Sequence, residues 1–162
     1  MSSVRRVVIG LLASVGLLLA GTAAVPVASA AEPTLTTFVV QLSAENEVPG
    51  CPAGVESGAT GVAVVQINAV TGEITYRVVA FNLPAPIAGS SGAHIHGPIN
   101  PTTGLAGIVV PFELTGLNTG LVAEGTVTNP DLAAAILANP ENYYVNVHTT
   151  ACLPGTIRGQ LA

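Results

Sequence analysis

Three histidines are the residues of this sequence best equipped for chemistry. In Ala93-His94-Ile95-His96 the alternation of a strand sends Ile95 to one face and both imidazoles to the other. In Val145-Asn146-Val147-His148 the same rule turns His148 and Asn146 away from Val145 and Val147. If the two segments are neighbours, three imidazoles converge on one face. Neutral imidazole is the commonest metal ligand, and three such ligands with an open position suit zinc or copper. H-x-H with one distant histidine is a loose pattern, however. The reading favoured on sequence alone has these side chains hydrogen-bonding nearby carbonyls and bracing the turns at Gly97-Pro98 and Thr149-Thr150. No cofactor is then expected, with copper or zinc at His94, His96 and His148 as the alternative.

Other chemistries have less support. Asp131 is the sole aspartate and has a sufficient role beside a helix start, which disfavours a Ser-His-Asp site. Gly89-Ser90-Ser91-Gly92 lacks the G-x-S-x-G form of a nucleophile elbow. Glu45 and Glu47, two apart before Val48-Pro49, read as a solvated loop edge rather than a glycosidase pair. Arg158, bracketed by Ile157 and Leu161, is read either as an ordinary exposed strand charge or as a fork tying the last strand to a carboxylate or to loop carbonyls. Next to it, Gly159 marks a close backbone approach or a bulge.

The elements that must position these residues lie in a chain of 162 residues, enough for one domain. Charged residues make up only 8%, hydrophobic residues 49%, and the mean hydropathy is +0.64. Much of that hydrophobicity is at the start. Arg5-Arg6, the apolar run Val7 to Ala20, Pro26 and Ala28-Ser29-Ala30 have the order of a signal peptide, so cleavage after Ala30 is expected rather than a retained anchor. The mature chain, residues 31–162, then carries two basic and nine acidic groups, a formal charge of −7. Nucleic-acid binding is excluded by that balance, and no membrane span remains after cleavage. In an exported chain the two cysteines, Cys51 and Cys152, read as a disulfide; the absence of C-x-x-C spacing disfavours a metal pair or free thiols.

Strand periodicity is clear from Leu35 to Ser43, and Val62–Asn68 with Glu73–Asn82 predicts a hairpin closed near Gly72. Further strands are expected over 107–114, 120–128, 143–149 and 156–161, the last two joined by a turn through Leu153-Pro154-Gly155. Pro111 marks its strand as an edge or a bulge. One helix is predicted, with Asn129 as N-cap, Pro130 at its first position and Pro140 as its stop. Many short strands with a single crossover helix indicate an antiparallel all-β sandwich or barrel.

Five blocks in order, Leu42-Ser43-Ala44-Glu45-Asn46-Glu47-Val48-Pro49, Thr71-Gly72-Glu73-Ile74-Thr75-Tyr76, Ala93-His94-Ile95-His96-Gly97-Pro98, Tyr144-Val145-Asn146-Val147-His148-Thr149 and Pro154-Gly155-Thr156-Ile157-Arg158-Gly159-Gln160-Leu161, resemble the CHRD (chordin-type) domain. The resemblance implies an immunoglobulin-like β-barrel, distantly like copper/zinc superoxide dismutases, with no settled activity. Glu47 and Arg158, in its first and last blocks, are read as structural residues. The expectation is an exported binding or structural module, secreted or in the cell envelope, with an unidentified ligand there. The alternative is a copper- or zinc-binding metalloprotein.

Overall fold

Apolar residues at every second position build the first half of the fold. β1 (Leu35–Ser43) turns Val40 and Leu42 inward, β2 (Thr60–Asn68) turns in Ala63, Val65 and Ile67, and β3 (Glu73–Phe81) turns in Ile74, Tyr76, Val78 and Ala80. The computed structural model describes residues 34–53, 55 and 58–162, so the expected leader, residues 1–30, lies outside the described residues. The β2–β3 hairpin forms as expected. Asn68 Oδ1 accepts from the amides of Val70 (2.9 Å) and Thr71 (3.1 Å), and Gly72 takes the positive φ (72°) that reverses the chain.

The remaining strands are β4 (Ala93–His96), β5 (Ile108–Pro111), β6 (Gly120–Thr128), β7 (Tyr144–Thr149) and β8 (Cys152–Gln160). All eight join one antiparallel sheet in the order β5-β4-β7-β8-β1-β2-β3-β6. Pro111 lies in β5, a terminal strand, as a residue without an N–H should. Beyond β5 the chain reaches the other terminal strand. Leu114 bridges Ala123, the Thr115 amide donates to the Val122 carbonyl (3.0 Å), and the Glu124 amide donates to the Glu113 carbonyl (3.2 Å). The sheet is thereby a near-closed barrel, which decides between the two all-β architectures expected.

Helix α1 (Pro130–Ala138) carries the chain from β6 across to β7. Asn129 caps it by accepting from the Leu132 amide (3.1 Å), and Ala133 and Ile136 bury its inner side. In the barrel interior Tyr76 stacks on Phe112 with ring centroids 4.0 Å apart, and its buried hydroxyl accepts from the Glu113 amide (2.9 Å).

One expectation needs correction. The β7–β8 turn is not at Leu153-Pro154-Gly155; Thr149 already pairs with Cys152, so Thr150 and Ala151 make the reversal. The strand begins earlier because Pro154 and Gly155 lie in an extended edge facing a loop, where a missing N–H and a φ of 148° are tolerated. The close approach expected at Gly159 is present: a Cβ there would collide with the Gln41 carbonyl and the Val40 side chain. Gly159→Ala should therefore force β1 and β8 apart at a cost of about 1–3 kcal/mol, read as a lowered midpoint in urea unfolding.

Candidate metal centre

The core side of β4, β7 and β8 is built on apolar side chains, with Ala93, Ile95, Val145, Val147 and Ile157 all fully buried. The opposite side of the same strands carries the functional groups. His94 sits across from Asn146, His96 across from Tyr144, Asn146 across from Arg158, and Tyr144 across from Gln160. His148 is diagonal to His94, within reach on the same face. The result is a polar layer on the outside of the barrel, covered by two loops: residues 44–53 over β8 and β7, and residues 97–107 over β4.

The structure thus brings the three histidines together. Their ligand atoms all lie within 4.8 Å of one another, and His148 Nε2 is 3.0 Å from His94 Nε2. His94 stacks on His148 (centroids 4.7 Å) and meets His96 edge-on (4.4 Å). Two of the histidines also meet carbonyls, at Ala106 and Leu153 rather than within Gly97-Pro98 and Thr149-Thr150. His96 Nδ1 lies 2.8 Å from the Ala106 carbonyl and His148 Nδ1 lies 2.7 Å from the Leu153 carbonyl. The two readings are compatible, because a carbonyl can only accept. Each Nδ1 must carry the proton, so each Nε2 presents a lone pair toward the cluster. His96 Nε2 is buried with no hydrogen-bond partner. Burial holds His96 below its ordinary value against the opposing pull of the Ala106 carbonyl, and it does the same to His148 against Leu153. Burial thus favours the neutral ring in both, the form that ligates.

Beside the cluster, Tyr144 lies parallel on His96 (centroids 4.7 Å, 12° between planes), and the Arg158 guanidinium covers the other face of Tyr144 at 3.5 Å. Burial raises the Tyr144 hydroxyl above its usual value, Arg158 acting in the opposite sense. Arg158 is not an exposed strand charge. It is buried, donates from Nη1 to the Gly104 carbonyl (3.1 Å), and grips Gln160 Oε1 with Nε (3.2 Å) and Nη2 (3.1 Å).

Glu47 also departs from expectation. Glu45 is a solvated loop edge, but Glu47 folds inward, packs on Gly155 and accepts from Asn146 Nδ2 (3.0 Å). The loop carrying it is anchored by the Cys51–Cys152 disulfide and by Asn46 Nδ2 donating to the Arg158 carbonyl (3.1 Å), and that anchoring turns Glu47 under the roof. Desolvation pushes its carboxyl up to about 7, even though Arg158 and the Asn146 hydrogen bond pull the other way. Asn146 Oδ1 is a second buried polar atom without a partner. Sequence reasoning missed Tyr144 as part of the site; extending the alternation of Asn146 and His148 two residues back would have found it.

A near-closed antiparallel barrel with a disulfide-held, loop-covered polar layer on its outer wall defines a small all-β domain whose chemistry is kept apart from its core. A family model for the CHRD domain matches residues 38–161, and the chain belongs to that family. All five sequence blocks fall inside the match. No curated protein and no solved structure matches the chain. Among the described residues no helix is long and apolar enough to cross a membrane, and the disulfide is consistent with an oxidising, exported setting.

Proposed function

We propose that this CHRD domain is a metal-binding protein that holds one copper or zinc ion between His94, His96 and His148. The observation that carries this reading is the buried Nε2 of His96. It is a buried lone pair on a ring held through Nδ1, in a cluster whose ligand atoms lie within 4.8 Å of one another. Such carbonyl-anchored imidazoles are the outer-shell arrangement that orients histidine ligands. A tetrahedral ion about 2.0–2.1 Å from each nitrogen sets ligand atoms roughly 3.3 Å apart, close to the 3.0 Å between His94 and His148. Three protein nitrogens leave a coordination position for water or another small ligand.

This reading replaces the structural-module expectation, which rested on the looseness of the H-x-H pattern. It retains the expectation of an exported protein of the extracellular space or cell envelope. Metal analysis of the purified, oxidised protein tests it: one equivalent of copper or zinc is expected, lost in His96→Ala. At a free metal concentration 100 times the dissociation constant the wild type should gain about 2.7 kcal/mol of stability, and His96→Ala should gain none. A metal-free protein whose melting is unmoved by either ion would return the histidines to their bracing role.

A further inference from the structure

Residues 31–162 contain two cations, and they are used differently. Arg77 is an exposed surface charge, 3.6 Å from Glu124. Arg158 is 6% exposed, and among the described residues no carboxylate approaches within salt-bridge distance of it. The groups it contacts are neutral: the Gly104 carbonyl, the Gln160 amide oxygen and the Tyr144 ring. A guanidinium has five N–H donors, of which these hydrogen bonds occupy three. Burying a charge without an opposite charge is costly, and the usual remedy is an ionic partner. Glu47 feels the Arg158 charge but, raised to about 7, neutralises it only in part near neutral pH.

Arg158 forms part of the wall of an open cavity of about 490 Å³, well within the size of small-molecule sites. Gln41, Asn46 and Gln160 add polar groups to the lining. Val39 and Val48 supply an apolar rim, and their side chains are unusually open to solvent for valine, at 66% and 51%. The cavity does not include the histidines, from which the Tyr144 ring separates Arg158. Its chemistry is therefore one fixed positive charge, neutral hydrogen-bonding groups and an aliphatic margin, with Ala162 also on the wall. The formal charge of −7 on residues 31–162 opposes approach of a polyanion, leaving a singly charged ligand as the complement.

We infer that this groove binds a small aliphatic monocarboxylate, its carboxylate on Arg158 and its hydrocarbon chain along Val39 and Val48. The inference is independent of the metal centre. Titrating the purified, oxidised protein with octanoate, followed by amide NMR shifts and calorimetry, tests it, with octylammonium and 1-octanol as probes of matching length. Octanoate should bind and shift the amides of Gln41, Asn46 and Gln160, and both control probes should bind at least tenfold more weakly. Val39→Asp, an exposed rim substitution, should weaken octanoate at least tenfold with unchanged melting, as should Arg158→Gln where it folds. No octanoate binding at millimolar concentration overturns the inference. So does equal binding of either control probe, or octanoate binding that survives Val39→Asp undiminished.

Discussion

Replacing Cys51 and Cys152 together by alanine is expected to destabilise the domain by roughly 3–5 kcal/mol, because the bridge closes a loop near 100 residues and so removes much chain entropy from the unfolded state. The sequence separation is 101, and the bond ties the loop before β2 to the start of β8. For a domain of this size the melting midpoint should fall by roughly 10–20 °C. A second effect is more specific. Cys152 immediately precedes Leu153, whose carbonyl fixes His148, and Cys51 lies in the loop that carries Glu47 onto Asn146. Metal affinity should therefore drop in the double variant even at temperatures where circular dichroism shows it fully folded. A double variant that melts within a few degrees of the wild type would show that the bridge adds little.

The second large effect concerns Glu47 and its pH dependence. Its carboxyl titrates near 4.5 in the unfolded chain and at about 7 when folded. With the folded value raised, the stabilising contribution is complete below pH 4.5 and is lost as pH rises through 7. The loss amounts to about 3 kcal/mol between pH 4 and pH 8. Glu47→Gln has nothing to ionise and keeps a side-chain oxygen for Asn146. Subtracting its stability curve from that of the wild type isolates this one group, since His96 and His148, which act in the opposite direction below pH 6.5, are common to both. The expected result is a variant that gains on the wild type by about 3 kcal/mol across that range. Parallel curves in denaturant titrations at pH 4, 6 and 8 would refute it.

Much of this architecture was legible because its signals are local. The period-two burial of β1 to β3, the Gly72 hairpin, the Asn129 cap and Pro111 on a terminal strand each follow from a few adjacent residues. Alternation likewise put His94 and His96 on one side of their strand and His148 with Asn146 on one side of theirs. What alternation cannot supply is strand adjacency: β4 and β7 are separated in sequence by β5, β6 and α1, and only the strand order of the sheet makes them neighbours. The burial of Glu47 was illegible for a related reason. Its loop is polar and glycine-rich like any exposed connection, and it is drawn inward by a covalent bond to a residue at the far end of the domain.

The closure between Leu114 and Ala123 has a consequence for how the molecule behaves in a crowd. Chains rich in β-structure self-associate through unpaired strand edges, and most guard those edges with lysines or with strong net repulsion. This chain has no lysine and few charges of any kind. By joining its terminal strands and placing Pro111 in one of them, it leaves little free ladder for another molecule to extend. Edge protection of this kind does not depend on charge, so it should persist in high salt, where repulsion is screened.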